Sequence, residues 1–158
     1  MRKIVYSLLI ALLVAPAISI PSQASLISDR AYRLEQRKEN KQNIKQIKAL
    51  FDIHDIYSNK HDLENLGKLY ADSYINNDGF TKKAYFKSIK ETWEACENLN
   101  YTTKILSIEI NGDNATVDVE ETATGTIIEK MLDQLPIAGE IHSKSRGIYH
   151  LTKINGNW

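Results

Sequence analysis

An acidic side chain on an otherwise apolar row of a strand is where chemistry would start in this chain. In "ATVDVEETATG" the alternation sets Ala115, Val117 and Val119 on one face and Thr116, Asp118 and Glu120 on the other, and Glu121 and Ala123 continue the apolar row. Glu121 therefore reads two ways. It is a pocket carboxylate, able to act as a general base or ligand anchor with its proton affinity raised by desolvation, or a residue at a pocket mouth with its carboxylate in water. Tyr57, Tyr74, Tyr101 and Tyr149 fall where helices and strands should meet. A buried tyrosine brings apolar area and a hydroxyl that needs a partner, which suits a core and an oxyanion-stabilising site alike. With Trp93 they would line an aromatic cavity for a flat or apolar ligand. His54 lies one step beyond Phe51 on a helical stripe, where it is either satisfied locally or reaches the pocket as an acid or base.

Other chemistries find little support. His142 and His150 are eight residues apart on a strand, too far to share one metal ion, and the chain has no H-E-x-x-H and no cysteine pair, so no metal is expected. It has no phosphate-cradling glycine loop and no Gly-x-Ser-x-Gly elbow, and any reaction is expected to need no cofactor. Asp78 in "NNDGF" is expected to set a turn by bonding the following backbone. Cys96, the only cysteine, reads as a small core residue because no Cys-His motif surrounds it.

The elements that must position these groups follow from period and punctuation. Ile44, Ile47 and Phe51, widened by Leu50, Ile53 and Tyr57, predict a first helix ending near Ser58-Asn59. Asp62 is placed to cap a short second helix with Leu63, Leu66, Leu69 and Tyr70 on its apolar face. Thr81 caps a third, on which Phe86, Ile89, Trp93 and Cys96 follow helical steps. After Asn98 the chain turns to β-branched residues and period two. "YTTKILSIEI" and "ATVDVEETATG" flank Asn111-Gly112-Asp113-Asn114, a hairpin cue. The stretch between Gly125 and Gly139 is read as a long connection, and a third strand runs from about Ile141 to Ile154. Three helices followed by an antiparallel meander make an α+β fold, the helices on one face of the sheet.

The N-terminus has the composition of an export signal: Arg2 and Lys3, an apolar run from Ile4 to about Val14, Pro16 and small residues, with cleavage expected after Ala24. The protein is thus expected to be exported to the periplasm or secreted, with no stable membrane insertion once the signal is removed. Loss of Arg2 and Lys3 from twenty basic residues, against twenty acidic ones, leaves the mature chain near a formal charge of −2, and no basic face points to nucleic acid. A charged lead-in, residues 25–43, precedes one domain, residues 44–158. An exported chain with one thiol has no internal disulfide, so packing must hold it together.

From Ile44 to Trp158 the chain resembles the nuclear transport factor 2-like superfamily, in particular its bacterial SnoaL-like branch. The residues that carry this are "IKQIKALFDIHDIYSNKHDLENLGKLYADSY", the "NDGF" turn before "TKKAYFKSIKETW", the strand pair around "NGDN", and the Gly-x-Trp of "INGNW". The resemblance implies a curved antiparallel sheet wrapped around three N-terminal helices into a cone, the cystatin-like arrangement, with a pocket at the open end. The Gln-x-Val-x-Gly loop of cystatin-type inhibitors is absent. Because a strand normally follows the Gly-x-Trp, the resemblance also implies that the last strand is missing here. Members include isomerases, dehydratases and cyclases as well as domains with no chemistry, so it supplies a fold and a pocket position rather than an activity. Two expectations follow. One is an exported domain that binds a small apolar ligand or a protein partner and forms a homodimer through the sheet. The other is a cofactor-independent isomerase, dehydratase or cyclase, with Glu121 as base and Tyr57 or Tyr149 stabilising the enolate.

Overall fold

The computed structural model describes residues 23–128 and 139–158, with side chains from residue 28 onward. Residues 1–22 of the expected export signal and most of the connection after Gly125 lie outside the described residues. The elements run α1 (Gln23–Asn59), α2 (Leu63–Lys68), α3 (Lys82–Ala95), β1 (Cys96–Asn111), β2 (Asn114–Ile127) and β3 (Glu140–Thr152). The chain divides after Gln36, and the sheet, α2, α3 and the buried part of α1 belong to the second unit, Arg37–Trp158. Among the described residues no helix is long and apolar enough to cross a membrane.

α1 starts well before the apolar stripe, because the lead-in is built of Arg, Leu, Glu, Gln and Lys, which favour helix without needing a buried face. Its buried side is also rotated from the expected one. Asn43, Ile47, Phe51 and Ser58 face inward, whereas Ile44, Ile53 and Ile56 are 37%, 39% and 46% exposed. The helix thus turns polar groups toward the sheet, a point that matters for the site. α2 begins where Asp62 accepts from the backbone N–H of Asn65, and α3 where Thr81 accepts from that of Ala84, as their capping residues predict. Between them Asn76, not Asp78, makes the turn: its Oδ1 accepts from the backbone N–H of Asp78 and of Phe80, at 3.1 and 2.8 Å.

The three strands form one antiparallel sheet in the order β1-β2-β3. Cys96 opens β1 instead of closing α3. Its backbone is extended and it pairs with Ile127, and strand pairing takes it from the helix. Burial pushes its thiol up, which keeps it protonated. β1 is interrupted by register shifts at Glu97/Asn100 and Ile105/Ser107, and such bulges bend a strand and raise its twist. The first bulge folds over Gly125, where a Cβ would come within 2.7 Å of Leu99 Cδ2 and 3.1 Å of Glu97 O, so a larger residue would have to displace the Leu99 side chain and shift the Glu97 backbone. The β1–β2 hairpin closes through Gly112, whose positive φ of 59° suits the first central position of a tight turn.

Ile47 and Phe51 of α1 pack on Ala115, Val117 and Val119 of β2, with Ile105, Ile108 and Leu151 at their sides. Burying each of the larger side chains stabilises by roughly 1.5–3 kcal/mol. A second cluster, Leu66, Tyr70 and Phe86, joins α2 and α3. After β3, Asn155 and Gly156 form the expected tight turn, Ile154 and Asn157 exchanging backbone hydrogen bonds of 2.7 and 3.0 Å. Trp158 folds back on the first cluster, and its indole N–H donates to the buried Asn43 Oδ1, which also accepts from Lys153 Nζ.

Candidate active site

Five rows cross the inward face of the sheet. Ile110, Ala115 and Leu151 form the first, Ile108, Val117 and Tyr149 the second, and Ile105, Val119 and Gly147 the third. The fourth is Thr103, Glu121 and Ser145, and the fifth Tyr101, Ala123 and Ser143. Branched side chains fill the first rows. From Gly147 onward the residues on β2 and β3 are small or polar, and space opens.

That space has two lobes. One, of about 470 Å³, is walled by Phe51, Tyr70, Tyr74, Gly147 and Tyr149 among others. The other, of about 170 Å³, is walled by Trp93, Tyr101, Thr103, Ser143 and Ser145. His54, Tyr85 and Glu121 line both. The lobes therefore adjoin along a shared boundary, a waist that carries a carboxylate, an imidazole and a phenol.

At the waist the Tyr149 hydroxyl donates to Glu121 Oε1 at 2.5 Å. The Tyr149 ring is fixed edge-on to Phe51, with centroids 5.3 Å apart. Gly147 lies beside both groups: a Cβ there would make ordinary contacts, 3.5 Å from Tyr149 Cε2 and 3.6 Å from Glu121 Oε2. Burial, with the neighbouring phenol Tyr70 and the Glu121 carboxylate, drives the Tyr149 hydroxyl far above the ordinary phenol value. Burial likewise pushes Tyr85 up to about 12 and raises Tyr70 well above its ordinary value. All three phenols thus stay protonated at neutral pH and remain hydrogen-bond donors beside an acidic side chain.

A second group of polar side chains comes from the end of α1. His54 Nε2 lies 2.9 Å from the Tyr70 hydroxyl, and its Nδ1 lies 3.5 Å from Asp55 Oδ1. Asp55 accepts from the backbone N–H of Thr103 at 2.7 Å and from its Oγ1 at 2.6 Å. Burial opposes the charge on Asp55, but the nearby His54 ring and the hydrogen bonds from Thr103 outweigh it and hold the carboxyl below its usual range. One turn on, Asn59 Oδ1 accepts from the Tyr101 N–H at 2.7 Å and Asn59 Nδ2 donates to the Tyr101 carbonyl at 2.9 Å. Four helical residues rise about 6 Å and two strand residues about 6.6 Å, so Asp55 and Asn59 meet Tyr101 and Thr103 in step. α1 clamps the β1 edge, which would otherwise expose unpaired backbone groups.

Of the residues the sequence singles out, the structure brings His54 and Glu121 together at the waist, with Tyr149 bonded to Glu121. Tyr74 lines the larger lobe, and Trp93 and Tyr101 the smaller. Trp93 is backed by the His61 ring, stacked at 4.7 Å. Tyr57 lines neither lobe and packs against the Leu66, Tyr70 and Phe86 cluster. Phe86 sits behind Tyr70, with ring centroids 5.2 Å apart, and leaves the cavity open. Tyr85, Asp55 and the hydroxyl role of Tyr70 were not legible beforehand. Tyr70 reads as an apolar residue of α2, and Asp55 as one charge among many. The run of small residues Ser143, Ser145 and Gly147, set in register against Glu121, is the signal that could have marked the cavity.

No protein-family model and no curated protein matches the sequence. Solved structures do match. A candidate scytalone dehydratase from Novosphingobium aromaticivorans superposes with a TM-score of 0.64 at 16% identity, over 77% of this chain and 81% of that one. A candidate dehydratase of the NTF2-like family from Streptomyces avermitilis gives 0.58 at 12%, over 75% and 91%. A Nostoc punctiforme protein of unknown function with a cystatin-like fold gives 0.53 at 17%, over 72% and 81%. At these identities the likeness establishes architecture alone: the chain shares the α+β fold of these structures, helices packed on an antiparallel sheet.

Proposed function

We propose that the two-lobed cavity binds a small, flat, largely apolar carbonyl compound and that Glu121 carries out cofactor-independent acid–base chemistry on it. The observation that supports this reading most is the meeting of Glu121, Tyr85 and His54 at the waist, where a ligand spanning both lobes must pass. The Glu121 carboxylate takes a proton from the carbon next to the carbonyl, and the C–H electron pair becomes the C=C bond of an enolate. Tyr85 donates to the developing oxyanion, which a protonated phenol does without giving up its proton. Tyr149 holds Glu121 in place. Return of the proton to another carbon gives isomerisation. When His54 is first protonated to the imidazolium, its delivery of that proton to a departing β-hydroxyl leaves the neutral ring and gives elimination of water, the reaction class named for two of the structural neighbours. The signal composition of residues 1–24 supports a setting in the periplasm or outside the cell, to be checked by the mass of the mature chain.

The test is solvent exchange. A panel of aromatic and bicyclic ketones is incubated with the protein in D2O and their α-protons are followed by NMR. At least one ketone exchanges faster than in buffer, and Glu121→Gln removes the acceleration. Ketones that bind yet exchange only at the buffer rate would leave a binding domain without this chemistry.

A further inference from the structure

We infer that Asp55 is a positioning residue that fixes His54 as the Nδ1–H tautomer, making Nε2 the atom that exchanges protons with the Tyr70 hydroxyl at the larger lobe. The function of this arrangement rests on the acid–base reading of the cavity; the tautomer does not. His54 has two ring nitrogens with different surroundings. Nδ1 faces Asp55 Oδ1 at 3.5 Å, and Nε2 faces the Tyr70 hydroxyl at 2.9 Å. Nδ1 is buried and makes no hydrogen bond, so its choice of proton is set by charge. A bare nitrogen would hold its lone pair 3.5 Å from a carboxylate oxygen, whereas a protonated one sets a positive N–H beside it, and Nε2 then accepts from a hydroxyl that can donate. Asp55 cannot turn away, because Thr103 holds both its oxygens, one through the backbone and one through Oγ1. The helix-to-edge clamp and the histidine tautomer are therefore set by one carboxylate.

This gives the site a second proton-transfer arm, which adjoins the Glu121–Tyr149 pair through the neighbouring Tyr70 and Tyr149 phenols. In the outward direction the Tyr70 O–H bond breaks as its proton passes to Nε2, and a proton from bound ligand re-forms it. His54 becomes an imidazolium whose charge lies against Asp55. The reverse returns a proton to the ligand through Tyr70, and neither direction needs a co-reactant. Tyr70 is held for this by edge-on contacts with Tyr74 and Phe86, at centroid distances of 4.8 and 5.2 Å.

The test is two-dimensional 15N NMR of the histidine rings in the full folded chain at slightly alkaline pH, with His54→Gln used to assign the signal. The wild type should show a protonated Nδ1 and a bare Nε2, and Asp55→Asn should lose that preference. Thr103→Val keeps the charge while weakening the clamp, so it should keep the tautomer. In any ketone that exchanges, Asp55→Asn should lower kcat by up to about 10²-fold with KM little changed. A wild-type His54 protonated on Nε2, or a tautomer unchanged in Asp55→Asn, overturns the assignment. The wild-type spectrum decides by itself if Asp55→Asn does not fold. A wild type with the Nδ1–H tautomer and no exchange of any ketone would sink the acid–base function and leave the assignment of Asp55 standing.

Discussion

The inward row of β2 passes through two different environments without a break in its alternation. At Val117 and Val119 it is completely buried under Ile47 and Phe51, and two residues on it reaches Glu121, which borders open space. Backbone geometry is the same in both places. What differs is the neighbour across the ladder: Tyr149 stands opposite Val117, Gly147 opposite the still-buried Val119 marks the change, and Ser145 stands opposite Glu121. A packed core needs interdigitating volume from every strand. Withdrawing that volume on β3 turns the same sheet face from core into site.

The contrast predicts that stability resides at one end and chemistry at the other. The largest effect should be Glu121→Gln, which lowers ketone exchange by about 10²–10⁴-fold while the urea midpoint hardly moves. A loss of folding in that variant would make Glu121 part of the core and erase the distinction. Ile47→Ala at the packed end should do the opposite. It should cost about 2–5 kcal/mol in urea unfolding, because it removes fully buried volume, and leave the exchange rate per folded molecule unchanged.

Asp55 sits on the boundary and should show both effects. Asp55→Asn should cost about 1–3 kcal/mol through the weakened clamp on Thr103. It should also change the response to acid. The folded Asp55 carboxyl lies below its unfolded value, so its contribution is complete above the unfolded value, about pH 3.9, and is lost as pH falls through the folded one. Between about pH 6 and pH 3 the wild type should therefore lose more stability than Asp55→Asn, as read from urea midpoints. Equal losses would mean that the clamp does not depend on charge. Ser145→Ala, beside Glu121 on the cavity wall, should move stability by no more than about 0.5 kcal/mol. A shift as large as that of Ile47→Ala would show the open end to be packed after all.

Much of this architecture is legible in the sequence, because caps, turns and strand alternation act locally. Asp62, Thr81 and the Asn111–Asn114 hairpin do what their residue types require, and the Ala115, Val117, Val119 row predicts the face of the sheet. The reading fails where a buried face is polar. Taking the apolar residues of α1 as its inner stripe puts Ile44 and Ile53 inside, but Asn43 and Ser58 are the buried residues, with His54 and Asp55 half-buried beside them. Each has a partner from distant sequence or borders the cavity: Trp158 and Lys153 for Asn43, Thr103 for Asp55, Tyr70 for His54. Hydrophobic periodicity weighs the cost of burying a polar group and cannot see the partner that offsets it. Cys96 is a similar case, in that its helical spacing is real but pairing with Ile127 decides its conformation.

The most direct test is a crystal structure of Glu121→Gln with a ketone that the wild type exchanges. The ligand should lie across the waist, its α-carbon within about 3.5 Å of the side chain at position 121, with its carbonyl oxygen facing the Tyr85 hydroxyl. A ketone bound within one lobe with its α-carbon away from position 121, or bound outside the cavity, would contradict the assignment of Glu121 as the base.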